Sequence, residues 1–161
     1  VAGAKFVIEA GPERLDFKQS TFQKVDEFAD EDAVLLTNPS GISIDEIAAS
    51  TKRPESVLGL HFFYPAPVMK LVEIIRGEKT SDEAAAKTHE FADALGKVSV
   101  DAPNTPGFIV NRIITPYENM GAGLVSEGVS AKDAAKQASA LLDVPRNEAY
   151  KMAMRIKETG V

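Results

Sequence analysis

One short stretch, L-G-L-H-F-F-Y-P-A-P-V-M-K-L-V-E-I-I-R at 58–76, carries two side chains able to handle a proton. His61 ends an apolar run, Pro65 and Pro67 set a turn, and Glu73 is the single acidic residue of the next apolar run. One titratable residue on each arm of a proline-set bend can bring an imidazole against a carboxylate. An imidazole so placed can accept a proton near neutral pH, because the carboxylate stabilises the imidazolium. The structural alternative is a histidine at a strand end and a solvated glutamate on an edge strand. Residue pattern alone leaves both readings open.

Other candidates lie just past apolar runs. Glu13 and Lys18 follow Phe6–Ala10, Asn38-Pro39-Ser40-Gly41 follows Val34–Thr37, and Asn111 lies in P-G-F-I-V-N-R at 106–112. The end of a parallel strand is where ligands collect. Read without that context, Glu13 and Lys18 are solvated charges at a helix start, N-P-S-G is turn chemistry, and Asn111 is a cap or an interdomain hydrogen bond. His89 lies among charged residues and reads as solvent-facing. No cluster has metal-ligand spacing, so no metal is expected. With no cysteine, disulfides, thiolate catalysis and zinc–cysteine sites are excluded.

At 44% hydrophobic and 26% charged the chain has the composition of a globular protein, and its 161 residues suffice for one ordinary domain or for one compact domain with a helical appendage. Its net charge of −6 argues against a nucleic-acid surface, which needs clustered Lys and Arg. No apolar run approaches the roughly 20 residues that cross a bilayer. V-A-G-A-K-F shows no signal peptide, and the expectation is a soluble, cytoplasmic protein. The abrupt start, almost inside a strand, suggests sequence upstream.

The elements that must position these residues follow from periodicity. Continuous apolar runs at 6–10 and 34–37 predict buried strands, with further strands at 57–63 and 71–75 and a last short one at 98–100. The short proline turn predicts that the fourth runs antiparallel to the third. Helical spacing predicts a helix over 15–29. Ser43 with Glu46 predicts a capping box opening a helix to about Ala49. A similar start at 80–83 predicts a helix to Leu95, with Gly96 at its C′ position. Strand–helix alternation of this kind predicts an α/β layer. From Phe108 onward only helices are predicted, at 109–127, 130–142 and 145–157, with a domain boundary near 104–107.

H-F-F-Y-P-A-P-V-M-K-L-V-E resembles the signature of the NAD-dependent 3-hydroxyacyl-CoA dehydrogenases, ordinarily H-F-F-N-P-x-P-V-M-K-L-V-E. V-I-E-A-G-P-E-R-L-D-F-K and P-G-F-I-V-N-R are similar to two further segments of that family, and the resemblance covers residues 1 to roughly 130. It implies an α/β fold: a partial Rossmann-like dinucleotide-binding layer over 1–104, followed by an all-helical segment over 105–161. It further implies His61 as general base and Glu73 as its orienting partner. Ser40 and Asn111 would hold the substrate, and Ala10, Glu13, Lys18, Asn38, Ser40 and Tyr64 would border NAD. The implied reaction is oxidation of a (S)-3-hydroxyacyl-CoA to the 3-ketoacyl-CoA.

Three departures qualify the resemblance. No G-x-G-x-x-G follows a first strand, and in the family that turn binds the pyrophosphate. Tyr64 stands where the family has Asn, and Pro39 and Gly41 replace hydroxyl residues beside Ser40. Beyond about Gly128 the family pattern is absent. The expectation is therefore a dehydrogenase whose NAD affinity depends on upstream sequence. The alternative is a non-catalytic α/β module that binds acyl-CoA or another subunit and has lost NAD binding. The acyl-CoA is the expected small-molecule partner, with no nucleic acid, no membrane and a possible homodimer through the helical segment.

Overall fold

The computed structural model describes residues 1–142. They form two units, the first spanning Val1–Ile109 and the second beginning at Val110. The predicted helix at 145–157 lies outside the described residues.

The first unit is a five-stranded sheet in chain order: β1 (Phe6–Glu9), β2 (Val34–Thr37), β3 (Val57–Phe62), β4 (Leu71–Arg76) and β5 (Val98–Ala102). Strands β1, β2 and β3 are mutually parallel, β4 runs antiparallel to β3, and β5 is parallel to β4. Helices α1 (Leu15–Phe28), α2 (Ile44–Ala48) and α3 (Asp82–Ala94) make the connections. Sequential parallel strands need such crossovers, whereas a proline-bearing loop suffices between antiparallel β3 and β4.

Alternation along each strand divides the core between the sheet's faces. Leu35, Val57 and Ile75 pack with Phe22 of α1 and Ile44 and Ile47 of α2. Val34, Leu36, Leu58, Leu60, Val72 and Ile74 point the other way and pack with Ala84, Ala85 and Ala92 of α3. Gly59 permits the close approach of α2, since a Cβ there would lie 2.9 Å from Ile44 Cδ1 and 3.0 Å from the Ile75 side chain.

Helix ends show which local signals operate. Ser81 caps α3 by accepting the Ala84 amide, and Gly96 closes it with φ +70°. Ser43, in contrast, makes no side-chain cap on α2, so the expected capping box is not formed. Asn104 takes its place: its Oδ1 accepts the Ile44 amide at 2.9 Å while its Nδ2 donates to Asp45 Oδ2 at 2.7 Å. A contact from a distant loop has displaced the local one. The second unit contains α4 (Val110–Ser126) and α5 (Ala131–Leu142), with Pro116 inside α4.

Candidate active site

The β3–β4 register sets His61 directly opposite Glu73. Facing residues of an antiparallel pair have their Cβ atoms about 4.5–5.5 Å apart, within reach of a side-chain hydrogen bond. His61 Nδ1 lies 2.6 Å from Glu73 Oε2. Glu73 is fully buried and His61 is 5% exposed. A carboxylate only accepts, so this contact puts the ring proton on Nδ1 and leaves Nε2 with the lone pair in the neutral imidazole. Nε2 has no hydrogen-bond partner among the described residues.

The other Glu73 oxygen is held too: Oε1 accepts the Ile109 amide at 2.9 Å. Two aromatic rings border the imidazole. Phe63 lies at 4.8 Å between centroids and Phe108 at 5.5 Å with its edge presented. Phe108 is 1% exposed and has φ +48°, a left-handed conformation that costs a non-glycine residue about 1–2 kcal/mol.

Beside this pair, the carboxyl ends of β1 and β2 carry a second polar cluster. Lys18 is completely buried and donates to Glu9 Oε2 at 2.8 Å. Thr37 Oγ1 donates to the same oxygen at 2.7 Å, and the Gly11 amide donates to Glu9 Oε1 at 2.6 Å. Burial pushes the Glu9 carboxyl up, but these bonds and the Lys18 charge outweigh it and hold the group below its ordinary value. Glu13 lies 3.9 Å from Lys18 and accepts the Ser40 and Gly41 amides on Oε1 at 2.7 and 3.1 Å. Asn38 Oδ1 accepts the Phe62 amide at 2.8 Å, tying the 38–41 turn to the residue after His61. A Cβ on Gly41 would lie 3.3 Å from the Gly107 amide nitrogen, so this turn also abuts the loop that leads to Phe108. Three loops therefore converge beside the His61–Glu73 pair.

The residues singled out from sequence fall into distinct settings. Ala10 and Ser40 are exposed. Tyr64 is 95% exposed, just past His61 and ahead of a cis bond to Pro65. Lys18 is no solvated charge; it faces inward, and any action on a cofactor would run through Glu9 and Glu13. Asn111 is half-buried in α4, where its carbonyl accepts Thr115 Oγ1. His89 is not simply solvent-facing: its Nδ1 lies 2.9 Å from Ser99 Oγ and its Nε2 3.1 Å from Asp101 Oδ1. Among the described residues no group of His, Cys, Asp or Glu is arranged to hold a metal ion, and no helix is long and apolar enough to cross a membrane.

Glu9 and Phe108 were not singled out from sequence. Glu9 had a readable signal, the same one that marks Glu73: an acidic residue inside an apolar strand run must find a partner when buried. Phe108 had none, because nothing in P-G-F announces a left-handed phenylalanine.

The profile of the 3-hydroxyacyl-CoA dehydrogenase NAD binding domain matches residues 1–105. A 3-hydroxybutyryl-CoA dehydrogenase from Clostridioides difficile is 44% identical over 135 residues, covering 84% of this chain and 48% of that protein. A 3-hydroxyadipyl-CoA dehydrogenase from Escherichia coli K12 is 45% identical over 133 residues, covering 83% and 28% respectively. The crystal structure of an E. coli 3-hydroxybutyryl-CoA dehydrogenase superposes with a TM-score of 0.74 at 46% identity, covering 80% of this chain and 27% of that one. The chain thus spans about half the length of the first of these relatives and under a third of the second.

Proposed function

The chain belongs to the 3-hydroxyacyl-CoA dehydrogenase family, and from that premise we propose that it serves NAD-dependent oxidation of a (S)-3-hydroxyacyl-CoA to the 3-ketoacyl-CoA. The observation that carries this reading is the 2.6 Å contact between His61 Nδ1 and a wholly buried Glu73.

In this reading His61 Nε2 takes the proton of the substrate hydroxyl as the C3 carbonyl forms. Glu73 keeps the other ring proton on Nδ1 and offsets the positive charge that the imidazole gains. Ser40 would donate to the reacting oxygen and steady its changing charge, the role that the family resemblance also implies for Asn111. Bound NAD+ supplies the nicotinamide that accepts the hydride leaving C3.

The residues at the carboxyl ends of β1 and β2 fit such a cofactor. Ala10 is small and exposed there, and the Glu13 carboxyl, 42% exposed, can accept from a hydroxyl. The family resemblance implies that Asn38 and Tyr64 would border the cofactor as well, with Lys18 acting through Glu9 and Glu13. The 44–46% identity to proteins named 3-hydroxybutyryl-CoA dehydrogenase makes (S)-3-hydroxybutyryl-CoA the first substrate to assay. A cytoplasmic location accords with this metabolic role. A homodimer through the helical segment is supported by exposed Ile113, Tyr117 and Met120, spaced along one side of α4.

The test is NADH formation from (S)-3-hydroxybutyryl-CoA and NAD+ by the protein and its folded His61→Ala variant. With upstream sequence carrying the G-x-G-x-x-G turn present in both, turnover is expected in the first and a loss of about 10²–10⁴-fold in the second. Equal turnover by the two proteins would remove His61 as the base. The second reading is acyl-CoA binding or subunit interaction without catalysis. Acyl-CoA binding with no NADH formed would select it.

A further inference from the structure

We propose that Phe108 is a positioning residue for the His61–Glu73 pair, holding the imidazole with its ring and the carboxylate with the amide that follows it. The inference rests on His61 being the proton acceptor, but its structural content can be tested without turnover.

A hydrogen bond at Nδ1 alone leaves the imidazole free to tilt about that contact, and it leaves a buried carboxylate free to rotate about its own stem. Both motions are opposed here from the same place. Glu73 Oε2 faces His61 Nδ1, while Glu73 Oε1 accepts the Ile109 amide at 2.9 Å. The carboxylate plane is therefore fixed at both oxygens, and one anchor is the peptide group immediately after Phe108. The Phe108 ring, 1% exposed, presents its edge to the imidazole at 5.5 Å, and Phe63 borders the imidazole at 4.8 Å. Rotation of the imidazole out of the Glu73 contact would drive it against these rings.

The backbone at Phe108 makes the double duty possible. Gly107 and Phe108 take φ values of +79° and +48° in succession, and the Phe108 amide closes a turn onto the Thr105 carbonyl at 2.9 Å. Left-handed residues reverse the chain over a short distance. The reversal allows the Phe108 side chain to enter the core while the next amide meets Glu73. Glycine would adopt φ +48° without strain, yet position 108 holds a large aromatic residue. A strained conformation kept at a buried aromatic beside titratable side chains is the kind of local expense found where geometry must be held.

The test uses proton NMR on the protein carrying His89→Gln, so that His61 is its only histidine. Two signals are followed: the downfield Nδ1–H resonance of a carboxylate-bonded imidazole, and the exchange rate of the Ile109 amide. Phe108→Gly accepts the left-handed backbone but lacks the ring. It should keep the Ile109 amide protected while the imidazole N–H exchanges about tenfold faster than in the parent. Phe108→Val resists positive φ and should expose both protons to fast exchange. If the valine variant does not fold, the glycine variant decides alone. Parent-like exchange of the imidazole N–H in Phe108→Gly overturns the role of the ring, and parent-like Ile109 exchange in folded Phe108→Val overturns the role of the backbone. Because these signals do not depend on substrate, inactivity of the parent would count against the dehydrogenase reading and leave the positioning result standing.

Discussion

The two histidines of this chain are both held against a carboxylate, and the contrast between them shows what separates a reactive pair from a surface one. His61 meets Glu73 at 2.6 Å with side-chain exposures of 6% and 0%; His89 meets Asp101 at 3.1 Å with exposures of 34% and 69%. Around His61 the rings of Phe63 and Phe108 border the imidazole, and Glu73 has its second oxygen on a backbone amide. Around His89 the second contact is Ser99 Oγ, and the pair spans from α3 to edge strand β5. Water competes for both members of an exposed pair and weakens the attraction between them, whereas a buried carboxylate has only its protein partners. The second histidine also has both ring nitrogens engaged, while Nε2 of the first is uncommitted among the described residues.

The hardest way to break this contrast is to take away Glu73. In Glu73→Ala the His61 ring and the Ile109 amide lose a buried acceptor together. We expect a loss of about 3 kcal/mol in unfolding free energy, read from the urea midpoint. Glu73→Gln fills the same space but presents an uncharged amide to the imidazole. Its expected loss of stability is smaller, with turnover falling about 10²–10⁴-fold if the proposed reaction is correct. A glutamine variant with parent-like turnover would reduce Glu73 to a packing residue.

The Glu9–Lys18 cluster tests whether burial, rather than the histidine, makes the difference. Lys18 is as buried as Glu73, and its closest carboxylate is Glu9. Glu9→Gln should cost about 3 kcal/mol, because a charged amine would stay buried with Glu13, at 3.9 Å, its remaining carboxylate among the described residues. The same pair predicts a pH dependence. The Glu9 carboxyl is held below its ordinary value of 4.5, so the unfolded chain binds this proton more readily than the folded one. Its contribution to stability is complete above that ordinary value and is lost as pH falls through the lower folded one. Urea midpoints measured from pH 7 downward should decline more steeply below about 4.5 in the parent than in Glu9→Gln. Parallel curves for the two proteins would show that Glu9 is not the group responsible.

How much of this was legible beforehand depended on how far each contact reaches along the chain. Strands β2, β3 and β4 were readable because each is a nearly continuous apolar run, as a sheet covered on both faces requires. The edge strands differ, with Ile8 of β1 and Val98 and Val100 of β5 exposed because each edge has a neighbour on one side alone among the described residues. The His61–Glu73 pairing was readable because a short proline turn fixes the relation of its two arms. Lys18 was located as a residue of interest, but its setting was not: its partner Glu9 lies 9 residues before it, and Thr37, which donates to the same Glu9 oxygen, lies 19 after it on a different strand. Ser43 shows the opposite failure. A complete local capping signal was present, yet Asn104 from 60 residues away supplies the cap. Phe108 could not have been found, since its left-handed backbone is imposed by the loop around it and no residue preference points to it.

The smallest expected effect sharpens the comparison from the surface side. Asp101→Asn removes the charge facing His89 but leaves an oxygen that can still accept from Nε2, and Ser99 Oγ still faces Nδ1. Asp101 is 69% exposed at its side chain, so water can replace what the carboxylate provided. We expect a change within about 0.5 kcal/mol in the urea midpoint analysis, and no change in turnover. A larger loss would mean that the α3–β5 edge depends on this contact. The distinction between the two histidines would then rest on their geometry alone, with solvent exposure no longer the physical reason for it.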